Sequence, residues 1–338
     1  MAQKMWVWKQ PDLNTGEKGV IMMLRIYSYA KWVQNTLTCD IADIKKYYNF
    51  ILGEHLEVSN PRYKNLMKNT YKEYIRHMDL WFYSSDFAKN WVIHKSSGHA
   101  ASVPSLKMSA VSYLINQDWW DITNSKKEYK FVMVCNDFME YKRPDWAIRF
   151  WKNYRAFHPN AKFIIVYKNR SHVLLTKLKR EARLFGGVEW VNHPDPLIIK
   201  DIYNKSECLL HASSTESGPR VIAEAMSCNI PCVIAREKWN TSVEHLLPAI
   251  LTLPEMGWKT SSGVLEIDSF LAKINANKIQ PRNLVDTKGF LDKIDAKLKS
   301  INNMWTLGQI NPPNWIGGNS INDTNDIKFT EITGQKLT

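Results

Sequence analysis

The chain has 338 residues and a formal net charge of +12, from 45 Lys and Arg against 33 Asp and Glu. That length supports one large core or two medium ones, and the absence of any run of about 18 apolar residues excludes a membrane-spanning helix. The positive surplus suits a polyanionic partner: a nucleotide donor, nucleic acid or an anionic membrane surface.

The opening residues Met1 to Trp6 hold no apolar region of signal-peptide length, so a cytoplasmic location is expected. Met5-Trp6-Val7-Trp8 reads as a first strand. A polar, turn-rich segment follows from Gln10 to Gly19, leading into a predicted helix through Val20 to Val33. Asp79 to Ser85 reads as the last strand of this half, followed by a short helix from Asp86 to Val92.

From Lys126 the pattern becomes regular. The order is strand Phe131 to Cys135, helix Pro144 to Phe157, strand Lys162 to Tyr167 and a basic amphipathic helix from Ser171 to Phe185. A strand at Val188 to Val191, a helix at Pro196 to Tyr203 and a strand at Cys208 to Ala212 come next. Strands alternating with helices predict a parallel, doubly wound sheet that binds its ligand at the carboxyl ends of the strands. Between Lys126 and Arg183 basic residues outnumber acidic ones about three to one, much of it a solvated helix face. Five cysteines (Cys39, Cys135, Cys208, Cys228 and Cys232) lie in apolar patterns without zinc-ligand spacing. They read as reduced structural thiols, and no metal site is expected. A lysine-rich helix from Val285 to Ile301 and a polar, loosely ordered tail from Asn302 close the chain.

The run from Thr215 to Val233 is the most informative. Glu216 and Glu224 are separated by seven residues, then come Ala225-Met226 and the turn Cys228-Asn229-Ile230-Pro231-Cys232-Val233. Pro219 suits the first helical position, since its missing N–H costs nothing there. Free N–H groups of Ser217, Gly218 and Arg220 would form an anion site at the helix start. Asn229 suits a left-handed conformation after the helix. A plain alternative is that Arg220 and Glu224 form an i,i+4 helix ion pair.

This run resembles the retaining GT-B glycosyltransferases of family 4 (glycosyl transferases group 1), whose signature is two glutamates at this separation, then Ala-Met and a small-residue turn ending in Pro-Val. The resemblance implies an α/β fold of two Rossmann-like domains (GT-B). Residues 1–125 would be a shortened acceptor-side domain, 126–301 the nucleotide-sugar donor-binding domain and 302–338 a tail. It implies transfer of a sugar from a nucleoside diphosphate, with a UDP-sugar the favoured co-substrate and no further cofactor. Glu216 would lie near the sugar hydroxyls and Glu224 at the ribose. Lys142 holds the family's lysine position after the first strand, but Asn136-Asp137 replace the usual Gly-Arg, so Arg143 is a candidate for the missing charge. Lys168-Asn169-Arg170 replace a glycine-rich turn, which makes Arg170 a second candidate. Gly16 and Gly19 correspond to a flexible loop near the diphosphate, or simply make a loop.

The acceptor stays open between a saccharide or glycoconjugate and a hydroxymethylated DNA base, for which Trp6, Trp8, Trp119 and Trp120 are candidate stacking residues. His77, His94 and His99 are candidate bases, and His211 either touches the donor or sits in the core. A non-catalytic nucleotide- or nucleic-acid-binding protein on the same fold is the alternative.

Overall fold

The computed structural model describes residues 5–9, 19–23, 48–53, 74–107 without 84–85, and 119–285 without 136–139, 169–171, 193–194, 215, 217–218, 238 and 241–242, together with 293 and 296–297. The chain divides into two compact units, Gln117–Asp286 and the remainder.

The first unit carries a five-stranded sheet of β1 (Met5–Lys9), β2 (Gly19–Met23), β3 (Tyr48–Gly53), β4 (Leu80–Tyr83) and β5 (Ser105–Lys107), paired in that order. β1 is antiparallel to β2, and the other pairs are parallel. Two expectations are corrected here. The segment from Val20 begins as β2 rather than as a helix, because a short apolar run such as Val20-Ile21-Met22-Met23 fits a buried strand as well as a helical face. The strand after Asp79 is not the last, since β5 follows the helix α1 (Asp86–Lys95) and pairs with β4. β4 is buried along its whole length, and the Trp81 indole donates to the carbonyls of Ala100 and Val103 at 3.2 Å each.

The second unit follows the alternating pattern closely. Its strands are β6 (Tyr129–Cys135), β7 (Phe163–Tyr167), β8 (Val188–Asn192), β9 (Ser206–His211), β10 (Cys232–Ala235) and β11 (Ile250–Leu253). Its helices are α2 (Pro144–Phe157), α3 (His172–Phe185), α4 (Pro196–Asn204), α5 (Arg220–Ser227), α6 (Glu255–Lys259) and α7 (Ser262–Ala276). All six strands are parallel, in the order β11-β10-β9-β6-β7-β8. Continuous apolar runs such as Phe131-Val132-Met133-Val134-Cys135 are what a parallel strand covered on both faces requires. α2 begins at Pro144 and turns Ala147, Ile148, Phe150, Trp151 and Tyr154 inward, at helical spacing. Phe131 meets the Tyr154 ring edge-on at 4.7 Å, and Trp258 closes the same cluster from α6. Burying each such ring stabilises the unit by about 1.5–3 kcal/mol.

This strand order is the doubly wound one, with its reversal between β6 and β9, which pair directly through Phe131↔Cys208 and Val132↔Leu209. Chain leaves β6 toward one edge of the sheet and leaves β9 toward the other. The segments after these two strands therefore diverge and open a crevice at their carboxyl ends. Cys208, Cys228 and Cys232 are free and, like Cys135, buried, as expected of structural thiols. No described helix is long and apolar enough to cross a membrane. Gly16, the remainder of the predicted 20–33 helix, Cys39, the Val285 to Ile301 helix apart from isolated residues, and the tail lie outside the described residues.

Candidate functional site

Both walls of the β6/β9 crevice end in chemistry. After β6, a 3-10 turn at Glu140–Lys142 delivers Lys142, and Arg143 adopts a left-handed conformation (φ 46°, ψ 51°) to start α2. A non-glycine residue held there is strained by roughly 1 kcal/mol. After β9, the chain runs from His211 through Ser213 and Ser214 to Glu216. The two walls are stitched together at one carbonyl. Tyr141 O accepts the Ser214 N–H at 2.8 Å and the Ser214 hydroxyl at 3.2 Å, with the Ser213 hydroxyl at 3.4 Å.

That stitch sets Lys142 against Glu216. The ammonium donates to Glu216 Oε1, and both side chains are largely buried. Burial alone would push the Glu216 carboxyl up. Lys142, and then His211, outweigh it and hold the group well below the usual carboxylate range. Burial likewise opposes charge on Lys142, yet Glu216 leaves it raised. His211, the last residue of β9, is buried at 3% exposure. Its Nε2 lies 2.9 Å from Glu216 Oε1, within ion-pair distance but misaligned for a hydrogen bond. The imidazole stands T-shaped to the Trp239 ring at 5.8 Å, and the Trp239 indole donates to Ser213 O at 3.1 Å.

The second glutamate sits in different surroundings. Glu224 lies on α5, buried, with Oε2 accepting the Tyr203 hydroxyl at 3.1 Å and Oε1 3.8 Å from Arg220 Nη2. Burial pushes its carboxyl up, and Arg220 and Tyr203 offset that in part. Tyr203 comes from α4 and is fully buried, its ring edge-on to Trp120 at 5.6 Å. Pro219 stands one residue before α5 as its cap, not inside it, with extended backbone (φ −72°, ψ 91°). Asn229 takes the left-handed conformation expected of it (φ 61°). It also ties the end of α5 to the loop after α7, donating to Gln280 Oε1 at 2.6 Å.

The structure thus brings Lys142, Glu216 and His211 together, with Glu224 and Arg220 on the helix that follows. Arg143 is committed elsewhere: its guanidinium pairs with Glu237 and stacks over Trp146 at 4.0 Å. Gly19 opens β2, so it is a strand residue and not part of a loop. Ser217, Gly218 and Arg170 lie outside the described residues, as does Gly16. Trp120 is buried at 1% exposure, which removes it as a platform for an extruded base. Trp6 and Trp8 lie on β1. His77, His94 and His99 belong to the first unit, the last two exposed. Sequence reasoning missed Tyr203, Trp239 and the Tyr141 carbonyl. Their contacts span from 18 to more than 70 residues of chain, and no local pattern signals them.

Residues 116–244 match the family model described as Glycosyl transferases group 1. No curated protein matches by sequence. Among solved structures, Anabaena Alr3699/HepE in complex with UDP and glucose is similar with a TM-score of 0.62 and 14% identity, covering 83% of this chain and 78% of that one. A mutant of S. aureus TarM in complex with fondaparinux, alpha-GlcNAc-glycerol and UDP gives 0.59 and 14%, covering 83% and 55%. The pneumococcal O-GlcNAc transferase GtfA in complex with UDP and GlcNAc gives 0.50 and 12%, covering 77% and 54%. The chain therefore spans about half the length of the latter two. At these identities the likeness shows the fold, which is GT-B: α/β units built on mostly parallel sheets.

Proposed function

We propose that the chain transfers a sugar from a UDP-sugar to an acceptor hydroxyl, with retention of anomeric configuration. The observation that carries this reading is the Lys142–Glu216 pair at the reversal point of a doubly wound sheet, with Glu224 on the next helix. The family match over residues 116–244 supports it, and the UDP named with HepE, TarM and GtfA supports that donor. The sugars in the same three complexes favour a saccharide or glycoconjugate acceptor.

In this reaction the bond from the anomeric carbon to the diphosphate oxygen breaks, and its electron pair leaves with the diphosphate. The acceptor oxygen bonds to the same face of that carbon, and its proton passes to the departing phosphate oxygen. Negative charge grows on the leaving group, so a cation fixed beside it lowers the barrier. Lys142 is the cation for that task. Glu216 accepts hydrogen bonds from the sugar hydroxyls, and Glu224 from the ribose. The N-terminal end of α5 adds a favourable dipole.

The test is a thermal-shift panel of UDP, GDP, ADP and CDP on the wild type and on Glu224→Ala, with the unliganded variant's melting temperature as the fold control. UDP at about 100 times its Kd stabilises the folded state by about 2.7 kcal/mol, and the variant loses that shift. An acceptor screen with saccharides and hydroxymethylated DNA follows. The absence of a shift with any nucleotide at millimolar concentration would instead favour a non-catalytic binding protein.

A further inference from the structure

Lys142 and His211 converge on the same atom, Glu216 Oε1. One cation already satisfies that oxygen. The imidazole nonetheless stands 2.9 Å away, buried, with Nε2 lacking a well-formed hydrogen bond. A buried polar nitrogen left in that condition costs free energy, and such groups are rare unless another state of the site satisfies them. Both of these contacts fall on Oε1, which leaves Oε2 as the second acceptor of the carboxylate.

The proposed reaction, on which this inference rests, supplies that other state. Lys142 is the cation needed by the departing diphosphate, and a diphosphate carries more charge than one carboxylate. As Lys142 turns toward it, Glu216 loses its main partner while its burial continues to oppose ionisation. Two groups face the Glu216 carboxylate among the described residues: Lys142 from the turn after β6 and His211 from β9. His211 itself is faced by Glu216 and by the uncharged Trp239 from the loop after β10.

We infer that His211 is a positioning residue: it takes Glu216 Oε1 as a hydrogen-bond donor when Lys142 moves to the diphosphate. The carboxylate then keeps its place and charge, and Oε2 stays available to the hydroxyls of the transferred sugar. The ligand class read by this arrangement is a neutral polyol next to a diphosphate. The imidazole packs T-shaped against the Trp239 ring, and the Trp239–Ser213 bond ties the tryptophan to the same loop.

The experiment compares wild type, His211→Leu and His211→Gln in UDP affinity and in kcat and KM for UDP-sugar turnover. Leucine keeps the packing and removes the donor; glutamine keeps an N–H near the position of Nε2. His211→Leu is expected to bind UDP within about threefold of wild type and to lose about tenfold in kcat/KM for the UDP-sugar. His211→Gln recovers most of that loss. Equal activity of the leucine variant overturns the inference, as does equal impairment of both variants, which would mark a packing role. UDP affinity falling in step with turnover also overturns it, because His211 would then act on the diphosphate.

A second arm needs no ligand. A double-mutant cycle of His211→Leu with Glu216→Gln, followed by melting, is run with Lys142 present and again with Lys142→Met. Stronger coupling without Lys142 supports the handover, and unchanged coupling overturns it. Wild type that binds no nucleoside diphosphate, yet shows the stronger coupling, would sink the donor reading while leaving the physical handover standing.

Discussion

Glu216 and Glu224 are the same residue type, eight positions apart and both buried, yet the protein treats their charges in opposite ways. Glu216 sits where two strands diverge, and an ammonium and an imidazole reach it from separate segments of chain. Glu224 sits on a helix, where its cation is a neighbour on the same helix at 3.8 Å and its other partner is a neutral hydroxyl. Burial raises both carboxyls; direct contact with an ammonium reverses the sign only for Glu216. Burial by itself therefore says little about whether a carboxyl in this site is charged. What decides it is how many chain segments converge on the group, and the topological reversal is where most of them do.

The largest effect expected from breaking this contrast is that of Glu216→Gln. The substitution leaves the Lys142 ammonium largely buried without its carboxylate, a change that costs about 3–5 kcal/mol when one partner of a buried pair is removed. The retained amide oxygen should place the result toward the lower end. Urea unfolding at neutral pH measures it. The pH dependence follows in sign. Because the folded Glu216 is held below its unfolded value, its contribution is complete above the ordinary carboxylate range and is lost as pH falls through the folded value. Glu216→Gln should therefore flatten the acid side of the stability profile. An unchanged acid limb would show that the pair contributes nothing to folding.

Tyr203→Phe tests the other glutamate and should be smaller. It removes the Tyr203 hydrogen bond to Glu224 Oε2 while keeping the ring against Trp120. The expected loss is about 1–3 kcal/mol, as for a buried charged acceptor left short of a donor. Here the sign reverses. A carboxyl raised in the folded state favours folding below its unfolded value and loses that advantage as pH rises through the folded one. The penalty of Tyr203→Phe should accordingly grow from pH 4 toward pH 7, as read by the same unfolding series. A penalty independent of pH would mean that the hydroxyl acts through packing alone.

The second unit was legible from sequence because its signals are local. The unbroken apolar strands, the proline opening α2 at Pro144 and the small-residue turn at Asn229 each say what the backbone does within a few residues. The two glutamates were legible through their spacing. The first unit was harder: Val20-Ile21-Met22-Met23 is too short for periodicity to separate strand from helix, and β5 has three residues and no buried one. Within the site, the hidden part is whatever depends on distant chain. His211 is one histidine at a strand end until Glu216 comes back beside it, and Arg143 is a free-looking charge until Glu237 arrives from 94 residues away.

The smallest prediction asks how much a same-helix cation contributes. Arg220 and Glu224 are an i,i+4 pair at 3.8 Å, and pairs of that kind are worth about 0.3–0.5 kcal/mol. Arg220→Met keeps most of the apolar stem and should lower stability by about that amount at pH 7, with less effect near pH 4, where Glu224 carries less charge. Lys142→Met, facing a carboxylate from a different segment, should cost several times more under the same conditions. Equal costs would make distance along the chain irrelevant and would remove the asymmetry between the two glutamates. A larger cost for Arg220→Met would move the dominant electrostatic contact from the loop after β9 onto α5, and with it the place where a departing anion is best held.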